Sequence, residues 1–414
     1  MISKMKNKLL LLFTLLLSCL VQAQETEIDH SKIQEDLNEI INDIANNYVY
    51  LKDKKVNLDS LKSYYASQIA QIKTEEETVL FFEYLLDEFY DNHIMLRTNR
   101  RASYRLFAPI YVAYQNEKLV VVNCWQTQIK ELAHELVGAE ILTFNGLDFQ
   151  EAINDFPTHC NDKTNPQVKE WIANKVLAGR YNEPRIITLK GKDNKTFEFD
   201  LDQISYHKEE GLLAAHIKNN VGIIRIHNTL GNSNLVSDFD RALDSLFSTK
   251  GLIIDLRNTL SGGNTYVARG IMSRFIKEAK PYQIHACTER SENNPDVERR
   301  WMEFVSPRGE QYTKPVVVLV GRWTGSMGEG LAVGFEGMGR GEIVGSEMRR
   351  LAGEVYDFGF KHQWYGYKLS TAKLYHVNGT IREEYVPTHY VKQTTNLKDE
   401  TLEKGMELIH QLTK

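Results

Sequence analysis

Residues 316–330, Val-Val-Val-Leu-Val-Gly-Arg-Trp-Thr-Gly-Ser-Met-Gly-Glu-Gly, most tightly constrain what this chain can fold into. Five consecutive apolar residues, four of them β-branched, read as a strand buried on both faces. Such a strand belongs in a sheet covered by helices on both sides. Small residues follow at the start of a helix, where a backbone or ligand can come close. Ser326 stands at the junction, and two roles fit it. It is an N-cap of a core helix, or it is a nucleophile held over a helix N-terminus whose free N–H groups stabilise negative charge. The pattern departs from Gly-x-Ser-x-Gly, because Thr324 holds the first glycine position.

A second buried strand is expected at Gly251-Leu252-Ile253-Ile254-Asp255-Leu256, running through Arg257 and Asn258 into Thr259-Leu260-Ser261-Gly262-Gly263. Paired glycines after a strand either make a plain turn or leave backbone N–H groups pointing at a ligand, as an oxyanion hole requires. From residue 212 strands and helices alternate: strands at 221–226, 252–256, 316–320 and 343–344, helices at 236–246, 267–275 and 327–337. Alternation of this kind predicts a parallel sheet with helices on both faces.

Together these segments resemble the tail-specific or C-terminal processing serine peptidases, in their tricorn-type branch. That family carries a strand ending in Asp-Leu-Arg-x-Asn-x-Gly-Gly, and some sixty to seventy residues later a serine with a glutamate three residues on. Asp255-Leu256-Arg257-Asn258 to Gly262-Gly263 matches the first with one extra residue, and Ser326 with Glu329 matches the second. Gly341-Glu342-Ile343-Val344-Gly345-Ser346-Glu347 resembles the strand and turn that follow. The resemblance spans roughly residues 30–395. It implies a multidomain α/β chain whose catalytic core is a crotonase-like ββα spiral.

The division along the chain is then a signal peptide at 1–23, an N-terminal helical domain at 24–105, a PDZ-like β-rich domain at 106–205, the α/β catalytic core at 206–395 and a C-terminal helix at 396–414. Lys4, Lys6 and Lys8 precede an apolar run from Leu9 to Leu17, and Val21-Gln22-Ala23 is an A-x-A-like cleavage site. An exported protein, periplasmic or extracellular, is expected. In the alternative, Leu16-Leu17-Ser18-Cys19 anchors a lipoprotein through Cys19. Ile33, Leu37, Ile40, Ile41 and Ile44 recur at helical spacing, and Thr74-Glu75-Glu76-Glu77 resembles a capping box. The middle stretch Val137-Gly138-Ala139-Glu140-Ile141-Leu142-Thr143-Phe144-Asn145-Gly146 resembles a PDZ signature, with a hairpin expected across 191–194. The carboxylate-binding loop of PDZ domains is not recognisable near Leu106, so a purely structural role competes with peptide binding.

Removing residues 1–23, which hold three lysines and no acidic residue, takes the formal charge from −5 to −8. That disfavours nucleic acid as a partner. Cys124, Cys160 and Cys287 have no metal spacing, and no cofactor or metal is expected. One disulfide among the three stays open.

A serine hydroxyl needs a base. In the C-terminal processing branch this is a lysine about two dozen residues after the serine, where this chain has Arg349 and Arg350. Arginine does not deprotonate at working pH, and Lys361 falls too late. The tricorn-type resemblance implies a histidine from the helical segment, and Asp91-Asn92-His93 matches. His93 is then general base and acid, or else it merely caps a helix C-terminus. The same resemblance implies a late carboxylate, Glu383 in preference to Glu384, and a polar residue beside the histidine, Asn92. Gly263 and Met327 would donate the oxyanion N–H groups, with Glu329 supporting Ser326 as a cap. The implied function is hydrolysis of peptide bonds in proteins or peptides. A catalytically silent ligand- or peptide-binding relative is the alternative, and an acyl-CoA enzyme on the related core is disfavoured by the export signal.

Overall fold

The computed structural model describes residues 28–98, 100–160, 162–291 and 294–414, so the expected signal peptide and Cys19 lie outside the described residues. Helix α1 (His30–Asn47) buries Ile33, Leu37, Ile40, Ile41 and Ile44 along one face, and Asp29 caps it by accepting the N–H groups of Ser31 and Lys32. Helices α2 (Leu51–Lys54) and α3 (Leu58–Gln68) follow. Helix α4 (Glu75–Asp87) opens with the expected capping box of Thr74 and Glu77. Beyond Tyr90, at φ 44°, the chain enters strand β1 (Met95–Arg97), which pairs antiparallel with residues 366–368. The helical segment is thus woven into a sheet whose other strands come from the far end of the chain.

The middle region holds β2 (Ile110–Gln115), β3 (Lys118–Cys124), β4 (Glu140–Phe144), β5 (Leu147–Asp148), β6 (Ile186–Lys190) and β7 (Thr196–Asp200). Their order is β2-β3-β4-β6-β7, with β5 beside β4. Helices α5 (Phe149–Asn154) and α6 (Pro166–Ala178) pack Ile153, Ile172 and Val176 against Val112, Val121 and Ile187. The hairpin across 191–194 forms with Lys190 opposite Thr196.

The core contains β8 (Leu213–Lys218), β9 (Val221–Ile226), α7 (Leu235–Ser245), β10 (Gly251–Asp255), α8 (Thr265–Met272), β11 (Lys280–Glu289), β12 (Val297–Val305), β13 (Val316–Val320), α9 (Met327–Gly337), β14 (Glu342–Gly345), β15 (Glu354–Gly359), β16 (Gly366–Tyr375), β17 (His389–Tyr390) and α10 (Glu400–Leu412). One sheet runs β17-β14-β13-β10-β9-β8, parallel except for β8. Alternate residues of its buried strands serve opposite faces. Ile224, Ile254 and Val318 meet Phe239, Ile271 and Phe335 of the α7–α9 layer, while Ile253, Val317 and Leu319 meet Met406 and Ile409 of α10. Each such burial contributes roughly 1.5–3 kcal/mol. A second sheet, β1-β16-β11-β12 with β15 on β16, was not foreseen from the sequence. Cys124, Cys160 and Cys287 are all free.

Two tryptophans fasten the middle region to the core. Trp125 stacks on Trp323 with centroids 5.5 Å apart and donates its indole N–H to Arg257 O at 3.2 Å. Trp323 donates to Ala108 O at 3.1 Å. Both anchors end on the loops that follow β10 and β13, so the middle region braces those loops directly.

Candidate active site

Strands β10 and β13 are neighbours in parallel register, Asp255 opposite Leu319, so the loops at their carboxyl ends emerge side by side. Ligands bind at this edge of open α/β sheets. Thr324 joins the two loops: its hydroxyl donates to Leu256 O at 3.0 Å and accepts from Gly321 N–H at 3.1 Å. Asp255 sits under them, fully buried. Burial alone would raise its carboxyl, but Arg257 at 2.8 Å and Arg225 at 2.9 Å hold it well below the usual range.

Ser326 is partly exposed and lies at φ 50°, ψ −110°, where non-glycine residues are rare. Strain of this kind costs about 1–3 kcal/mol and persists only where the surroundings impose it. Gly262, at φ 67°, is seated directly over it: a Cβ there would stand 2.9 Å from Ser326 Oγ and 2.8 Å from Met327 N. Any side chain at 262 would fill the space above the hydroxyl. Gly263 packs instead against the backbone of Leu230. The N–H of Gly262 is spent on Thr259 O at 3.0 Å, whereas those of Gly263 and Met327 have no partner among the described residues. Those two are therefore the N–H groups available to a ligand at Ser326.

Glu329 is completely buried in the first turn of α9. Its carboxylate accepts the N–H of Ser326 at 2.8 Å, of Arg350 at 2.8 Å and of Leu351 at 3.3 Å. Burial pushes this carboxyl up to about 7, while Arg382 and the three N–H donors work against the rise. The next residue along, Ala352, offers its carbonyl to His93 Nδ1 at 3.0 Å. Arg382 braces the same strap by donating to Leu351 O and Gly353 O, both at 3.0 Å. Residues 350–353 thus carry a continuous set of contacts from the serine turn to the histidine.

His93 lies in the turn between α4 and β1. Its N–H donates to Asp91 Oδ1 at 2.8 Å, and Asp91 Oδ2 accepts Tyr48 Oη–H at 2.8 Å. Burial, with the nearby charges of Arg382 and Arg349, pushes the imidazole down to about 3. The ring is therefore neutral at working pH. The carbonyl partner assigns the proton to Nδ1 and leaves Nε2 as an acceptor. No hydrogen bond joins Nε2 to Ser326 Oγ in this resting arrangement, nor does either atom have another side-chain partner among the described residues.

Glu383 sits against Tyr50 and close to Asp91, with its Oε2 buried and unpartnered; burial pushes its carboxyl up, and the Tyr50 hydroxyl counters this. Glu384 is exposed. Asn92 is exposed, and its side chain has no hydrogen bond among the described residues. Asp91, to which sequence reasoning gave no role, holds the backbone N–H of the histidine. Arg349 is half-buried and packs against Gly325, donating to Leu260 O at 3.1 Å and Leu106 O at 2.9 Å. Burial lowers it to about 10, so it stays cationic. Lys361 is exposed and paired with Glu35 at 2.6 Å.

Residues 220–390 match the family model of peptidase family S41, and residues 29–87 match that of the tricorn protease C1 domain. The chain's residues 220–390 form a peptidase family S41 domain. It is a serine-type peptidase, and its substrates are proteins or peptides. No curated protein matches it. Among solved structures it is similar to mature CPAF complexed with lactacystin, at TM-score 0.63 and 13% identity over 93% of this chain and 98% of that one. It is also similar to the photosystem II D1 C-terminal processing protease, at TM-score 0.53 and 15% identity over 92% and 97%. At such identity these likenesses speak for the fold, which they share with this S41 peptidase along nearly its whole length.

Proposed function

We propose that this S41 peptidase cleaves peptide bonds with Ser326 as nucleophile and His93 as general base and acid. Ser326 Oγ attacks the scissile carbonyl while its proton passes to His93 Nε2. The N–H groups of Gly263 and Met327 receive the oxyanion, each such donor being worth about 3 kcal/mol. His93 then protonates the leaving amine, and water releases the acyl group by the same route in reverse. The observation that carries this reading is the strap at 350–353, which ties two residues 233 positions apart through Glu329 on one side and Ala352 on the other.

Glu383 fits the role of a carboxylate behind the histidine. Its buried, unpartnered Oε2 beside Tyr50 and Asp91 supports that choice over exposed Glu384. Asp91 anchors the backbone of His93 and Ala352 O orients its ring, while the Asn92 side chain does neither. The basic and apolar run at 4–17 with the Ala23 cleavage site supports export to the periplasm or beyond. The middle region supports the loops through Trp125 and Trp323 whether or not its sheet also receives peptide.

Labelling with a fluorophosphonate, followed by mapping of the adduct, tests the assignment. The adduct is expected on Ser326 and is expected to vanish in Ser326→Ala. An adduct elsewhere, or activity surviving in that variant, would overturn it.

A further inference from the structure

A cavity of about 80 Å³ lies where the middle region, the oxyanion loop and the segment before β1 meet. Asn92, next to His93, and Leu260, next to the glycine turn, both line it, as does Arg349, which packs on Gly325. It therefore borders the site on the side of the middle region. Four cationic side chains line it, Arg105, Lys175, Arg322 and Arg349, and no carboxylate does.

Three of the four are already engaged. Lys175 sits between Glu83 at 3.0 Å and Asp87 at 3.1 Å. Arg105 bonds Arg180 O and reaches Asp202 at 3.4 Å. Arg349 spends both terminal nitrogens on Leu106 O and Leu260 O. Arg322 is different. Its side chain is only 8% exposed, its guanidinium lies 4.2 Å over the Tyr111 ring, and its single acidic neighbour, Glu347, stands off at 3.6 Å. Its Nε is buried with no hydrogen-bond partner among the described residues. Trp171 lines the same cavity, and its indole N–H is likewise buried and unpartnered among the described residues. Unmade bonds at buried donors are costly, more so at a charged group, and the cost is recovered when an acceptor arrives.

We propose that this cavity binds a carboxylate of the peptide substrate through Arg322 Nε and the Trp171 indole N–H, making this a peptidase that selects an acidic group close to the scissile bond. The proposal rests on Ser326 being the nucleophile. Two sources supply that chemistry: the α-carboxylate at a substrate's C-terminus, and an Asp or Glu side chain within it. Arg322 leads the loop that ends in Ser326, so its occupancy also fixes the distance between anchor and cleavage point.

Three hexapeptides separate these sources: one with a free C-terminus, its amide, and an amide in which one internal Asn is replaced by Asp. Their binding is measured by calorimetry on the full chain carrying Ser326→Ala. At least one carboxylate-bearing peptide should bind ten- to a hundredfold more tightly than the neutral amide, the worth of a charge-assisted hydrogen bond. Which of the two does so tells an exopeptidase anchor from an acidic side-chain pocket. Arg322→Gln should shrink that preference at least tenfold, Arg322→Lys should restore part of it, and Trp171→Phe, which deletes only one donor, should reduce it less. Equal binding of all three peptides, no binding of either carboxylate peptide at millimolar concentration, or a preference untouched by both Arg322→Gln and Trp171→Phe would overturn the proposal. Fluorophosphonate labelling of the wild-type protein at Ser326 reports separately on the nucleophile, so failure of the pocket and failure of the peptidase assignment are told apart.

Discussion

Strand β13 turns five residues inward and all are apolar, whereas the last two turns of α4 and the residue that caps it turn Glu83, Asp87 and Glu88 inward. The first region is a parallel sheet sealed by helices on both faces. The second is a seam between the helical segment and the middle region, and it is held by charge. Lys175 bridges Glu83 and Asp87, Glu83 accepts Ser103 Oγ–H at 2.8 Å, and Glu88 accepts the N–H groups of His159 and Cys160, both at 2.8 Å. The nucleophile grows from the first region and the base from the end of the second. The serine turn is placed by packing and by one buried carboxylate, Glu329, which holds the Ser326 N–H. The histidine is held by a carboxylate and one backbone carbonyl, with two arginines close by.

The largest expected effect comes from breaking the core side of this pairing. Ser326→Gly should abolish turnover, by at least about 10⁴-fold. It should also raise stability by about 1 kcal/mol, because glycine relieves the strained backbone at some cost in chain entropy. Thermal unfolding alongside the peptidase assay checks both. A less stable Ser326→Gly would mean that the turn is not strained.

On the seam side, His93→Gln should lose about 10³-fold or more in kcat/KM. The acid limb of kcat/KM for the wild type should lie well below 6.5, toward the depressed value near 3. For stability the sign follows from the same shift. A neutral buried histidine contributes fully above its ordinary value and loses that contribution as pH falls from 6.5 toward 3.

Lys175→Met leaves Glu83 and Asp87 buried together without their cation and should cost about 3–5 kcal/mol near neutral pH. Ile254→Ala in the sheet should cost a similar 2–5 kcal/mol through its cavity. The contrast is in pH dependence. Burial, with Lys175 opposing it, pushes Asp87 up to about 7. Its share of stability is present below the ordinary carboxylate range and is lost as pH rises through 7. Denaturant unfolding at pH 5 and pH 8 should give the same penalty for Ile254→Ala but a changed one for Lys175→Met and Asp87→Asn.

Legibility in the sequence follows the same division. Strands β10 and β13 announce themselves because both faces are buried and every position but Asp255 is apolar or glycine. The serine turn is visible because close approach demands glycine, and Gly262 shows how close. Strand β12 escaped because eight of its nine residues are exposed or half-exposed, so Val297-Glu298-Arg299-Arg300-Trp301 shows no alternation of burial for a pattern to follow. β16 alternates better but follows Lys361-His362-Gln363-Trp364-Tyr365, a mixed polar and aromatic stretch that obscures its start. Asp91 and the strap at 350–353 were missed for a different reason. The strap acts mainly through backbone N–H and C=O groups, which leave no trace in side-chain identity, and Asp91 reads from sequence as an ordinary loop acid. Glu329 was visible as a cap, yet its second task, holding Arg350 and Leu351, belongs to tertiary structure.

The smallest expected effect is a control on the lysine alternative. Lys361→Ala removes an exposed pair with Glu35, worth about 0–1 kcal/mol. Peptide hydrolysis should stay within about twofold of wild type, and a large loss would reopen the choice of base.

The pH dependence of fluorophosphonate labelling at Ser326, compared between wild type and His93→Gln, tests most directly whether the seam delivers the base to the core. The expected result is a wild-type rate that holds steady from pH 8 to well below 6.5, with His93→Gln slower by about 10³-fold across that range. Equal labelling of the two proteins, or a wild-type fall with a midpoint at or above 6.5 that persists in Glu329→Gln, would contradict a buried, neutral His93 acting on Ser326.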